Sequence, residues 1–101
     1  LAEYPPTVND PDCWKTARQT AADLLGETAI VSEDPAMGAE DFAFYQLKIP
    51  GCFAFLGVKD PGAKESFGLH HPRFQPDESA LALGTAWHVA TSLQALADLK
   101  K

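Results

Sequence analysis

The sequence predicts an α/β fold, a sheet flanked by helices, and three observations carry that expectation. Apolar spacing switches along the chain in the order helix, strand, short helix, strand, long helix. Residues 52–58 read Cys-Phe-Ala-Phe-Leu-Gly-Val, a nearly all-apolar run without polar alternation. That is the pattern of a strand covered on both faces, and it favours an α/β sheet over a sandwich. The helical stretches have sharp ends, with Asp10-Pro11 opening the first and Gly26 closing it.

In chain order, residues 1–8 carry the adjacent prolines Pro5 and Pro6, which exclude a helix and suit a terminal strand or an extended linker. A boundary falls near Asn9. Asp10 is the expected N-cap of a helix whose apolar face holds Trp14, Ala17, Ala21, Leu24 and Leu25, with Lys15, Arg18, Gln19 and Asp23 mostly opposite. Residues 27–31, with Thr28, Ile30 and Val31, read as a short strand, and residues 32–38 as a loop. Residues 39–47 read as a short helix with Phe42 and Tyr45 near one face, ended by Ile49-Pro50-Gly51. After the 52–58 strand, residues 59–67 form a polar surface loop. From Asp77 as N-cap the chain reads as helix to its end, with Ala82, Ala86, Val89, Leu93 and Leu96 on one face. Lys100 and Lys101 suit the negative end of that helix dipole.

The bulk numbers exclude several classes of function. At 101 residues, one small domain burying ~60–65% of its unfolded surface is expected. Hydrophobic residues make up 46% and charged residues 22%, which argues against disorder. A formal charge of -6 disfavours nucleic acid as a partner, since phosphate binding wants a basic face. No apolar run approaches the ~20 residues that span a bilayer. Cys13 and Cys52, far apart in sequence, read as free buried thiols rather than a structural disulfide. The start at Leu1, with no initiator Met and no signal-peptide pattern, suggests a piece of a longer protein and leaves the compartment open.

The chemistry-bearing stretch is Ser66-Phe67-Gly68-Leu69-His70-His71-Pro72-Arg73-Phe74, a proline-stiffened loop with two adjacent histidines running into the last helix. Imidazoles on a rigid loop commonly hold a metal or move a proton. Neighbouring side chains point to opposite sides of an extended loop, so one of the two would face a given site. Against this, a histidine pair on a loop is more often surface decoration, and no Cys-x-x-Cys or His-x-x-x-His spacing completes a metal set. Glu40-Asp41, in the turn Met37-Gly38-Ala39-Glu40-Asp41-Phe42, could place Glu40 in a cleft if Gly38 lets backbone approach closely. Acidic residues in a first helical turn are also ordinary dipole partners. His88 reads as a packing or surface histidine, and Trp14, Phe53 and Phe55 as core aromatics.

Taken together and in this order, Met-Gly-Ala-Glu-Asp-Phe-Ala-Phe-Tyr (37–45), Ile-Pro-Gly-Cys-Phe-Ala-Phe-Leu-Gly (49–57) and Leu-His-His-Pro-Arg-Phe (69–74), followed by Asp77-Glu78, resemble one family. It comprises the dinuclear-metal amidohydrolases and peptidases that include hippurate hydrolase, aminoacylase-like enzymes, N-acetyldiaminopimelate deacetylase and indole-acetyl-amino-acid hydrolases. Tyr4, Val8-Asn9-Asp10-Pro11 and Leu25-Gly26 match the run-up to those motifs. The resemblance covers essentially the whole chain but only about the last quarter of such an enzyme.

That resemblance implies a fragment of a zinc-peptidase-like catalytic domain with a mixed sheet. Residues 1–9 would close an inserted lid or dimerisation domain, and residues 10–101 would form the C-terminal portion of the catalytic domain. His70 occupies the metal-liganding position of the family's His-x-Pro-x-Phe setting, where many relatives carry a small or polar residue in place of His71. Two divalent ions, zinc or manganese, would polarise an amide carbonyl and acidify a bridging water. Glu40 matches the Glu of the family's Gly-x-Glu-Asp-Phe turn and would support the site or contact substrate. The remaining ligands and the general-base Glu belong to an earlier region, so the chain alone is expected to be inactive.

The expected substrate of the whole enzyme is a small N-acyl or N-aroyl amino acid or dipeptide, and its partners are the rest of the catalytic domain and further copies of itself. Two other readings stand beside this one. One is a non-catalytic binding or regulatory module derived from the same fold. The other is a small α/β protein using His70 and His71 in an unrelated mononuclear site. In the isolated chain the 52–58 strand, which expects neighbours on both sides, should leave Phe55 and Leu56 exposed to a partner surface or to self-association.

Overall fold

The computed structural model describes residues 3–101; Leu1 and Ala2, part of the expected lid-domain segment, lie outside the described residues. The first helix, α1 (Pro11–Leu25), begins where the sequence places it. The Asp10 carboxylate accepts from the backbone N–H groups of Asp12 at 3.1 Å and Cys13 at 3.0 Å, filling donors that an N-terminal turn leaves orphaned. The Cys13 amide is the main influence holding the Asp10 carboxyl below its usual range. Gly26 ends the helix at φ 87°, a left-handed conformation that suits glycine, and its N–H donates to the Ala22 carbonyl at 2.8 Å.

Residues 27–31 are not a strand. Glu27–Ala29 form one 3-10 turn, closed by Ala29 N–H to Gly26 O at 3.2 Å and Ile30 N–H to Glu27 O at 3.1 Å. A β-prone stretch with no neighbour to pair with satisfies its backbone locally. Arg18 ties this turn to α1 through a 3.0 Å ion pair with Glu27, an exposed contact of small energetic weight. The expected short helix is present but contracted to α2 (Phe42–Gln46).

Residues 52–58 carry no ladder, and no strand is assigned among the described residues. The segment is nevertheless held at both ends. Asn9 treats Phe53 as a strand would, its Oδ1 accepting from Phe53 N–H at 2.7 Å and its Nδ2 donating to Phe53 O at 3.0 Å. Asp10 N–H adds a bond to Gly51 O at 3.0 Å, and Asp77 N–H donates to Val58 O at 2.7 Å. Between these ties the backbone makes no hydrogen bond within the described residues. Phe42 packs on Phe53 with centroids 5.7 Å apart, and a Cβ on Gly51 would stand 3.0 Å from the Phe42 ring. Gly51 thus lets this segment pass close over α2.

The last helix, α3 (Ala80–Leu99), starts three residues after Asp77. Asp77 is not its cap. Its carboxylate accepts from Ser79 N–H at 3.0 Å and Ser79 Oγ–H at 2.7 Å, shaping the turn that precedes the helix. α3 lies on α1, where Trp87 Nε1–H donates to the Ala17 carbonyl at 3.0 Å. Ala17, Thr20 and Ala80 are buried, and Gly84, Trp87 and Thr91 half-buried. The expected face of α3 is therefore the outer one: Val89, Leu93 and Leu96 are exposed. This helix is apolar on more than one side, and the indole with its N–H handle selects the side that meets α1.

Among the described residues only three apolar ones, Ala17, Ala43 and Ala80, are buried. Trp14, expected in the core, is 50% exposed; Phe55, read both as a core aromatic and as exposed on an unpaired strand, is 69% exposed, and Leu56, expected to be exposed with it, is 42% exposed. The chain presents 8621 Å² of surface, whereas a compact monomer of 10.9 kDa presents about 5,600 Å². Its radius of gyration of 15.4 Å exceeds the ~13 Å of a compact domain of this length, and it is a slab 20 Å thick in its thinnest dimension. One layer of apolar faces is present, and no second layer covers it among the described residues.

Two outcomes are expected. Asn9→Ala strands the half-buried N–H and C=O of Phe53 and should lower thermal stability by ~1–3 kcal/mol; Asn9→Asp should also destabilise, because its carboxylate faces the Phe53 carbonyl. Because the folded-state pKa of Asp10 is depressed, its contribution is fully present above the ordinary carboxylate value of 3.8 and is lost as pH falls through the lower folded value. Acid unfolding followed by circular dichroism should show this loss, and Asp10→Asn should flatten it.

Candidate functional site

The loop between residues 66 and 76 is built on a ring stack. The His71 imidazole lies on Phe67 with centroids 4.3 Å apart and planes 17° from parallel, and the Arg73 guanidinium stands 5.2 Å from the Phe67 centroid. His71 Nδ1 accepts from the Arg73 backbone N–H at 3.0 Å. His71 N–H donates to Gly68 O at 3.2 Å, and Phe74 N–H to His71 O at 3.0 Å. His71 is thus committed through its ring, its Nδ1 and both of its backbone polar groups.

His70 is the converse. It sits at φ 71°, the one non-glycine residue with positive φ among those described, a conformation costing on the order of 1–2 kcal/mol. Its side chain is exposed and makes no hydrogen bond to the described residues. Of two adjacent imidazoles, one therefore builds the loop and the other has both ring nitrogens open to an outside electrophile.

Glu40 is half-buried at the mouth of α2. Its Oε1 accepts from Phe42 N–H at 3.2 Å and its carbonyl accepts from Ala43 N–H at 3.2 Å, so it serves that helix start as an acidic residue ordinarily does. Gly38 has open space around it, and the close backbone approach expected there is not seen. His88 is exposed beside Trp87. Cys13 and Cys52 are free and half-buried, and burial pushes both thiols above the usual range.

A groove of about 800 Å³ runs beside the loop, lined in part by Val58, Lys59, Phe67, Arg73 and Phe74, and neither His70 nor Glu40 lines it. No group of three or more His, Cys, Asp and Glu that could hold a metal ion forms among the described residues. A divalent ion therefore finds here one uncommitted imidazole and not a complete donor set. No described helix is long and apolar enough to cross a membrane. The Phe67–His71–Arg73 stack was legible only in part: Gly68 and Pro72 mark the turn, but nothing in the spacing says which histidine stacks.

Comparisons with known proteins identify the family of this sequence. The family model of peptidase family M20/M25/M40 matches residues 1–94. The chain is 36% identical over 97 residues to IAA-amino acid hydrolase ILR1-like 4 of Arabidopsis thaliana, covering 96% of this chain and 22% of that protein. It is 35% identical over 97 residues to N-acetylcysteine deacetylase of Bacillus subtilis, covering 96% of this chain and 24% of that protein. A protein of Rhodococcus jostii that bears a provisional name as a glutamate–cysteine ligase is 41% identical over 90 residues, 89% of this chain but 11% of that protein. The chain thus spans about a fifth of the length of the first curated relatives it matches. With the motifs of residues 37–74 in family order and a family match running from Leu1 to residue 94, this chain belongs to peptidase family M20/M25/M40.

Proposed function

We propose that the whole protein to which these residues contribute is a metal-dependent amidohydrolase that cleaves the amide bond of N-acyl or N-aroyl amino acids, or of a small dipeptide. The observation that carries this reading is the uncommitted His70 imidazole in a chain of this family. Two relatives whose names describe release of an amino acid from a conjugate or an acetyl group support this substrate class.

In this reading His70 is a ligand to one of two divalent ions, zinc or manganese, and the other donors come from the remainder of the catalytic domain. Bound divalent ions supply Lewis-acid polarisation of the amide carbonyl and acidification of a water. The chain's own part is to present a neutral imidazole on a loop fixed at both ends, by Asp77 to the 52–58 segment and by the ring stack. Glu40 has one carboxylate oxygen on the Phe42 amide and a second without a partner among the described residues, so that second oxygen is free to orient a neighbour or contact substrate.

The finer architecture follows the same logic. Residues 52–58 add a strand to a mixed sheet, with the unpaired peptide groups between Phe53 and Val58 taking ladder bonds from the rest of the domain. The outer face of α3 and the exposed Phe55 and Leu56 meet the opposing layer. Residues 1–9 belong to the return from an inserted lid or dimerisation domain, with Tyr4 resting on Phe44 at 5.2 Å. The 101-residue chain alone is inactive.

Activity of the full-length natural protein on hippurate and N-acetyl amino acids, with zinc or manganese supplied, tests this reading. Chelation should abolish turnover and metal should restore it, while His70→Ala should cut kcat/KM at least about a hundredfold. A His70→Ala protein as active as wild type would sink the assignment. Glu40→Gln keeps a helix-capping oxygen, so a fall in kcat without a fall in Tm would place Glu40 at the site, and an unchanged kcat would reduce it to a cap.

A further inference from the structure

The second histidine of the pair is left without a task by the reading above, yet it is the better-held of the two. We propose that His71 is a positioning residue for His70: its ring and its Nδ1 lock the loop that keeps the preceding imidazole free for the metal. This rests on His70 being the ligand.

The geometry is that of a side chain imitating a turn. His71 Nδ1 accepts from the N–H two residues on, at Arg73, 3.0 Å away. Asn and Asp make the same bond through Oδ1, because that oxygen and an imidazole Nδ1 stand the same number of bonds from the backbone. The ring then does what Asn cannot, stacking on Phe67 at 4.3 Å with Arg73 near the same face-forming ring at 5.2 Å. Bonds from His71 N–H to Gly68 and from Phe74 N–H to His71 O close the turn on either side. His70, one residue before, is held at φ 71°, a conformation that persists where the surroundings over-determine it. Because Nδ1 of His71 is an acceptor and its face is covered by Phe67, this ring is poorly placed to serve as a ligand itself. The two histidines thus divide the work: His71 fixes the backbone, and His70 presents the imidazole.

The test uses the full-length natural protein, with zinc affinity measured by chelator competition and amide exchange measured at Arg73 and Phe74. His71→Ala should weaken zinc binding roughly tenfold, as loss of a ligand-orienting group does, and should remove protection at the Arg73 amide. His71→Asn should restore both, because its Oδ1 regains the bond to Arg73 N–H. Wild-type zinc affinity in His71→Ala would overturn the positioning role and leave the ligand role of His70 standing. Equal loss in His71→Ala and His71→Asn, with the Arg73 amide still protected, would make His71 the ligand and overturn the proposal. Unchanged affinity in His70→Ala would instead overturn the ligand reading on which it rests.

Discussion

The arrangement depends on one carboxamide. Asn9 makes two hydrogen bonds to Phe53 across 44 residues of sequence, giving the 52–58 segment the donor and acceptor that a neighbouring strand would give it. Asp10, next in the chain, binds Gly51 through its N–H and caps α1 through its carboxylate. Two adjacent residues therefore fix the start of α1, the start of the apolar segment and the distance between them. At the far end Asp77 binds Val58 and shapes the turn into α3. The histidine loop lies between Val58 and Asp77, so its placement descends from these ties.

The same ties leave the structure thin. Hydrogen bonds at the two ends of the apolar segment and the Trp87 bond between α1 and α3 organise the chain, but among the described residues burial is confined to alanines and one threonine. Apolar burial is the main favourable contribution to folding, and here its partners are largely missing. Large apolar side chains at Phe55, Leu56, Val89, Leu93 and Leu96 stay on the surface. The relatives named above are four to five times as long as this chain, and in the proposed reading these faces meet an opposing layer of the whole domain.

Much of this was legible in the sequence, in a specific way. Features set by local chemistry came through: the Asp10 cap, the Gly26 stop, the short helix after Glu40, the free thiols and the long last helix. Features set by long-range pairing did not. Residues 27–31 and 52–58 carry β-type composition, but a strand is a property of two segments, and no pairing segment is found among the described residues. The inner face of α3 was misread because several of its faces are apolar, and the polar N–H of Trp87 decided between them. At the site, motif order singled out His70 and Glu40, whereas the Asx-like role of His71 required the loop geometry.

The most direct test of the central claim is a crystal structure of the full-length natural protein grown with zinc, with the metal located by its anomalous scattering. The account predicts a zinc peak ~2.0–2.1 Å from a ring nitrogen of His70, with the other donors from outside residues 1–101 and His71 still stacked on Phe67. A zinc peak on His71, or a metal centre that draws no ligand from this loop, would contradict it.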